Sequence, residues 1–373
     1  MSSASSERES EADPGELWDA FCESLKRAGD VLRRPETPSD SQTLAEGYRF
    51  LMRMLRVGFE NHFELADPAH PQLVPMVGRM VQYEGITSDA HYLHALIDGA
   101  ATHRIRGLRG DAPLVEFGTY TGKMGMHDPS HRIASLTEER LVVGPDGRVE
   151  VVLSPDPQPG NWIRTDASTR YLMIRQYASD WSGRTPGRFE LSRDDAPPTR
   201  APIALEDVRT ALERTAEFTR RTPEIWAGIS DYWASSVVNR FLPQVEADAR
   251  TEIAPPSGHQ FACGYFDVEP DSALRIELLP GRAAYWSLGL SNYWYETIGY
   301  RDPTSHLNSG TAIADRDGRI RIVLAHARPP ASAGIPNWLD PKGHREGTMV
   351  FRWSRPIDPM PEIRCELVPW RSL

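Results

Sequence analysis

No stretch of the chain approaches the roughly 18 consecutive apolar residues of a membrane-spanning helix, so no membrane partner is expected. Cysteine is scarce. The three residues, Cys22, Cys263 and Cys365, are odd in number and far apart, which excludes a disulfide framework and suits a reducing, cytoplasmic location. Positive charge is also short: 42 Lys and Arg stand against 52 Asp and Glu, a formal net charge of −10. A phosphate backbone would be repelled, so no nucleic-acid partner is expected. Met1 to Pro14 is Ser- and Glu-rich without the apolar core of a signal peptide, and reads as a disordered tail.

Catalytic signatures are missing as well. There is no HExxH, GxSxG, Walker A, GxGxxG or CxxC. Gly228-Ile229-Ser230-Asp231 and Gly289-Leu290-Ser291-Asn292 lack the closing glycine of a nucleophile elbow. His91 and His94 would share one face of an expected helix, and His127, Asp128 and His131 crowd one turn. Neither group offers the third ligand that zinc needs, and no His-x-His strand is followed by a Glu. No metal and no cofactor are therefore expected.

What is there begins with a repeat. Asp146-Gly147-Arg148 opens Val149 to Leu153, then a Pro-rich loop leads to Asn161-Trp162-Ile163 and on to Tyr171 to Tyr177. Asp317-Gly318-Arg319 opens Ile320 to Leu324, then a Pro-rich loop leads to Asn337-Trp338-Leu339 and on to Thr348 to Trp353. Asp to Asn is a step of 15 residues in the first copy and 20 in the second; Asn to Arg175 or Arg352 is a step of 14 or 15. A spacing that varies mainly in its loop is the mark of a duplicated β unit.

The 373 residues are ample for two cores. Leu17, Trp18, Phe21, Leu25, Ala28 and Leu32 predict a helix over 16–33. Ser39 to Gln42 fits a capping box with Ser39 as N-cap, and Tyr48, Leu51, Met52, Leu55 and Phe59 form an apolar stripe behind it. A third helix is expected over 88–101. From Thr102 the period falls to two, with Asp146-Gly147 as a hairpin turn. Asp194 to Pro202 reads as a linker. Two helices should follow, one through Leu205 to Ala216 and one capped by Thr222 with Pro223 at its first position. Strands resume at Phe261. Segregated runs of this kind predict an α+β chain with two related antiparallel β-sandwiches, each preceded by helices. The expected units are a tail at 1–14, a first domain at 15–200 and a second at 201–373.

The candidate ligand residues come from indoles with polar neighbours. They are Asn161, Trp162, Trp181, Trp286, Asn292, Trp294, Asn308, Asn337 and Trp338, with Arg175 and Arg352 at matching strand positions. A flat indole packs on a sugar or other ring while amides and carboxylates fix its hydroxyls, which predicts a small-molecule or carbohydrate-like ligand. The structural alternative is that Trp fills the sandwiches and Asn satisfies loop backbone. The arginines either pair with a carboxylate inside a sandwich or face a ligand. If the protein is a metal-independent hydrolase, two carboxylates flanking a cleft are the simplest machinery. Asp180 beside Trp181 and Asp340 after Trp338 are the candidates, with Glu116 and Glu296 behind them. The alternative is a non-catalytic binding or scaffold protein.

Tyr285-Trp286, Leu290-x-Asn292-x-Trp294, Leu307-Asn308, Asp315-x-Asp317-Gly318-Arg319, Asn337-Trp338-Leu339-Asp340 and Arg352-Trp353 resemble a bacterial family, the domain of unknown function 1214. That domain is often preceded by a companion numbered 1254. The likeness is strongest from about Phe261 to Trp353, and Asn161-Trp162 with Arg175-Gln176-Tyr177 resembles the N-terminal half. It implies a jelly-roll-like β-sandwich body and homo-oligomers, and no catalytic residues. The chain departs from the family's Asp-Pro-Gly before the second Asn-Trp, with Ala333-Gly334-Ile335-Pro336 in its place.

Overall fold

The computed structural model describes residues 14–126, 130–244 and 258–373. The chain opens with helices α1 (Pro14–Ala28) and α2 (Ser41–Phe59). The first β region follows: β1 (Val74–Pro75), β2 (Ala90–Leu96), β3 (His103–Gly110), β4 (Leu114–Tyr120) and β5 (Arg132–Thr137). It continues with β6 (Arg148–Ser154), β7 (Trp162–Arg164), β8 (Tyr171–Tyr177) and β9 (Pro186–Arg193). Helix α3 (Leu205–Ser236) leads into β10 (Phe241–Gln244), β11 (His259–Asp267), β12 (Ser272–Leu278), β13 (Ala283–Ser291) and β14 (His306–Asn308). The last strands are β15 (Ile320–Leu324), β16 (Asn337–Leu339), β17 (Glu346–Pro356) and β18 (Ile363–Pro369).

The strand orders are β1-β2-β8-β4-β5 over β7-β6-β3-β9, and β10-β11-β17-β13-β14 over β16-β15-β12-β18. Adding nine to every strand number of the first pair of sheets reproduces the second pair. The two Asp-Gly units therefore hold equivalent places: β6 and β15 each carry a parallel partner, registered Val152 to Trp162 and Val323 to Trp338. The architecture is two related β-sandwiches, each with a helical lead-in, as the repeat predicts.

Three local expectations are corrected. Residues 90–96 form a strand, not a helix, because pairing with β8 buries Ala90 and Tyr92 on one face and Ala95 on the other. His91 and His94 consequently sit on opposite faces, which removes them as a metal pair. His127 and Asp128 lie outside the described residues, as does nearly all of the 1–14 tail. Helix α3 runs unbroken through Pro223, because Phe218, Thr219, Thr222, Trp226, Ile229 and Trp233 pack into the protein interior and override the local break. Finally, the N-cap of α2 is Asp40, whose carboxylate accepts from Gln42 and Thr43 N–H. The buried face of α2 is Phe50, Met54 and Val57, while Tyr48, Met52 and Phe59 are exposed.

Strand alternation creates three cores. In β8, Leu172 and Ile174 fill the first sandwich; in β17, Met349, Phe351 and Trp353 fill the second. Their opposite faces carry Tyr171, Met173 and Tyr177 on β8 and Val350 on β17 into a third core, shared with α2 and α3. That central core holds Trp226, Trp233, Trp294 and Tyr295. Each aromatic ring removes on the order of 200 Å² from water, about 5 kcal/mol before entropy, whereas an exposed ion pair contributes about 1 kcal/mol or less. Aromatic packing therefore dominates the union of the two halves. No helix among the described residues is long and apolar enough to cross a membrane, and the three cysteines are unpaired.

Candidate functional site

A cavity of about 170 Å³ opens between the sandwiches, where the central core is incompletely filled. The first half supplies Tyr120, Lys123, Tyr171, Arg175 and Tyr177 to its lining. Trp226 of α3 and Phe261, Tyr295 and Arg352 of the second half complete the wall. Among the described residues four cations line it, counting Arg132, against one carboxylate, Glu84. The period-two argument explains the arginines. Arg175 follows Tyr171 and Met173 on the outward face of β8, and Arg352 follows Val350 on the outward face of β17.

The guanidinium of Arg175 donates to the Tyr120 hydroxyl at 2.7 Å and lies 3.7 Å from the Glu116 carboxylate. Burial alone would lower its pKa, but Tyr120 and Glu116 outweigh burial and hold it above the ordinary arginine value. Arg352 donates to the Gly85 carbonyl and sits over the Phe261 ring, 5.6 Å from its centroid. Among the described residues, each guanidinium makes a single hydrogen bond to protein, from five N–H donors. Burial pushes the Tyr171, Tyr177 and Tyr295 phenols well above their usual pKa, so these rings are neutral.

The Glu84-Gly85 turn is held under strain at the rim. Glu84 and Tyr295, both lining residues, have φ of 65° and 61°, a region that side chains rarely adopt. The Gly85 N–H donates to the Tyr295 carbonyl at 2.9 Å, and a Cβ on Gly85 would stand 2.4 Å from the Tyr295 ring. Only glycine allows that approach.

Of the residues predicted from sequence, Arg175 and Arg352 meet in this cavity. The other candidates have their polar groups engaged elsewhere. Asn161 exchanges bonds with Val142 N–H and C=O, each 2.8 Å, and donates to the Glu150 carbonyl; Asn337 repeats the set with Ile313 and Arg321. The Trp162 and Trp338 indoles donate to the Ser154 and Ala325 carbonyls. These pairs close the crossover into the parallel strand, the structural role weighed for them. Trp286 packs on Phe351 in the second sandwich. Trp294 donates to the Thr43 carbonyl at 2.8 Å, and Trp181 to the Asp89 carbonyl at 2.8 Å.

Asn308 donates to Asp89 and to the Ser179 carbonyl and accepts from Gly310 and Thr311 N–H, so all its bonding capacity is used. Asp180 is exposed and caps Ser182 N–H. Asp340 accepts from Lys342 N–H at 2.8 Å and pairs with its ammonium at 2.9 Å. Neither carboxylate lines the cavity. Asn292 lies in a separate polar recess of about 230 Å³, bonded to Glu46 and Glu296. There Glu296 is clamped by Arg49 and Arg53, and Glu46 by His344. Glu116 is the buried neighbour of Arg175.

Sequence reasoning missed Lys123, Glu84 and the tyrosines. The tyrosines of β8 share Arg175's face and could have been found by period; Lys123 and Glu84 lie in loops without a local signal.

The family described as "Protein of unknown function (DUF1214)" matches residues 97–180 and 268–358, one segment in each sandwich. The crystal structure of an uncharacterised protein from Burkholderia cenocepacia is similar at 31% identity, covering 96% of this chain and 98% of its own, with a TM-score of 0.90. A protein from Vibrio parahaemolyticus is more distant, at 13% identity and a TM-score of 0.47 over 92% of this chain and all of its own. No functionally curated protein matches.

Proposed function

This chain belongs to the DUF1214 family of proteins of unknown function, and from its cavity we propose that it binds a small organic carboxylate between its two sandwiches. The observation that carries this reading is the pair of equivalent arginines. Arg352 is buried and the Arg175 side chain is 12% exposed, each has one protein hydrogen bond, and both line one cavity. A buried cation with unused donors is costly, and an anion that accepts two or more of them offsets that cost. The volume limits the guest: a cavity of about 150 Å³ is large enough for benzene. A single ring or short acyl chain, carried on a carboxylate, fits an aromatic wall with a cationic end.

The same features disfavour a neutral sugar, which needs carboxylate and amide acceptors more than guanidinium donors. A hydrolytic reading finds less support, because among the described residues Glu84 is the single lining carboxylate and Asp180 and Asp340 are bonded elsewhere. Cytoplasmic residence belongs to this reading, supported by the free thiols.

Calorimetric titration with benzoate and phenylacetate, set against benzamide and phenylacetamide, tests it. The acids should bind and weaken with salt, and Arg352→Met should lose about tenfold or more in affinity. Equal binding of acid and amide would refute the proposal.

A further inference from the structure

The chain contains three lysines, Lys26, Lys123 and Lys342, among 42 basic residues. Arginine serves almost every other cationic position. Two of the lysines are ordinary: Lys26 pairs with Glu23 on the surface, and Lys342 sits 2.9 Å from both Asp302 and Asp340. Lys123 is different. Its side chain is 2% exposed and its ammonium nitrogen lies 3.3 Å from the Tyr171 hydroxyl and 3.5 Å from the Glu84 carboxylate. The same nitrogen stands 4.4 Å from the centroid of the Tyr83 ring. It lines the cavity into which Arg175 and Arg352 project.

A position that needed only a buried cation would be served by arginine, which this chain uses at almost every other cationic position and which never deprotonates. Lysine can. Its amine becomes a nucleophile when an aromatic pocket and neighbouring cations disfavour the ammonium. We propose that Lys123 is a reacting amine, which forms an imine with the carbonyl group of an oxo acid whose carboxylate is held by the Arg175 and Arg352 guanidiniums. The inference rests on the anion-binding reading and deepens it by naming the substrate class.

Burial is the largest influence on Lys123 and lowers its pKa; Glu84 opposes that, Arg175 adds to it, and the net shift is downward. Lys26 and Lys342 are shifted upward by their carboxylate partners. Glu84 is placed to take the departing proton, and its backbone is the strained left-handed one described above. The step balances without a co-reactant. The ammonium gives a proton to Glu84, and the amine nitrogen forms a bond to the carbonyl carbon. One proton moves from nitrogen to the carbonyl oxygen, giving the carbinolamine. Glu84 then returns its proton to the hydroxyl, the C–O bond breaks, and water leaves an iminium. The sum is ammonium plus carbonyl to iminium plus water.

Reductive trapping tests this. The full-length protein is incubated with phenylpyruvate or 2-oxobutanoate and cyanoborohydride, followed by intact-mass and peptide mapping. The expected result is one adduct, of the oxo acid less one oxygen atom, on Lys123. It should form on the order of tenfold faster than on Lys26, Lys342 or the terminal amine, with a rate midpoint at lower pH than theirs. Lys123→Arg, which keeps the charge, should lose the adduct. Competition between phenylpyruvate and benzoate supplies the second measurement. If phenylpyruvate displaces benzoate yet leaves Lys123 unmodified, the imine is refuted and anion binding stands. If neither acid binds, both proposals fall. Modification of all amines at one rate also refutes the imine.

Discussion

Arg175 on β8 stands opposite Glu116 on β4, whereas Arg352, its equivalent on β17, stands opposite Ser287 on β13. The duplication kept the cation and not its counter-ion. One guanidinium is therefore part of a buried pair, and the other faces the cavity without a carboxylate beside it. Substitutions at the two sites should differ in kind. Arg175→Met removes one of the cations facing Glu116, which is 1% exposed and also interacts with Arg355, and should lower stability by about 2 kcal/mol in urea unfolding. His259, 3.8 Å from the Glu116 carboxylate, gives no relief, because burial and nearby arginines push its pKa well below the usual value and keep it neutral. Arg352→Met strands no carboxylate and should cost about 1 kcal/mol, with carboxylate affinity as its main loss. Equal midpoints for the two variants would contradict the assignment.

Asp89 binds the halves together through one oxygen. That oxygen accepts from the Tyr285 hydroxyl at 2.6 Å and the Asn308 amide at 2.9 Å, and meets His306 Nε2 at 2.9 Å, all from the second sandwich. Asp89→Asn removes the charge and turns part of the acceptor into a donor facing donors. A loss of about 3 kcal/mol is expected, read as a lowered transition in calorimetry. A single unshifted transition would mean that aromatic packing alone couples them.

The duplication was legible because its signals are local. Asp-Gly makes its own turn, and Asn161 and Asn337 complete their bonds within 24 residues of themselves. The same property hides the site: side chains that repeat because they close a corner look like ligand contacts in the sequence. The cavity depends on long-range placement. Lys123, Arg175 and Arg352 come together only after two sheets and α3 have packed, and no sequence window contains that information. Helix α3 and β2 failed for a related reason, since pairing and burial overrode Pro223 in one and an apparent helical spacing in the other.

Gly47 offers a test in which two effects oppose. In a helix interior, Gly→Ala ordinarily stabilises by about 1 kcal/mol. Here a Cβ would stand 2.4 Å from Leu32 Cδ2 and 2.6 Å from Trp294 Cζ2. The indole cannot withdraw: it is fully buried and donates to the Thr43 carbonyl one turn earlier on α2. Overpacking should win, and Gly47→Ala should destabilise by about 2 kcal/mol by urea midpoint. A stabilised variant would show that α2 slides freely on the second sandwich.

The attachment of α2 should also depend on pH. His344 Nε2 lies 2.8 Å from the Glu46 carboxylate and Nδ1 lies 2.7 Å from the Pro341 carbonyl, so both nitrogens face acceptors and the imidazolium is favoured. Burial works to lower the His344 pKa, but Glu46 outweighs it and the net shift is upward. Burial likewise raises Glu46, and His344 and Asn292 outweigh it to leave the carboxyl below its ordinary range. A raised histidine contributes stability that is complete below its unfolded pKa of about 6.5 and is lost as pH rises through the folded value. A lowered carboxylate contributes stability that is complete above about 4.3 and is lost as pH falls through its folded value. Both terms are fully present only between those limits. The melting temperature of the native protein minus that of His344→Gln should therefore be greatest between about pH 4.5 and 6.5 and shrink on the alkaline side. The charges facing this pair from neighbouring elements, Arg49 on α2 and Asp40 at its cap, stay ionised throughout that window and do not alter the sign. A difference that grew above pH 7 would require a neutral histidine in the native state, and with it a different arrangement of Glu46.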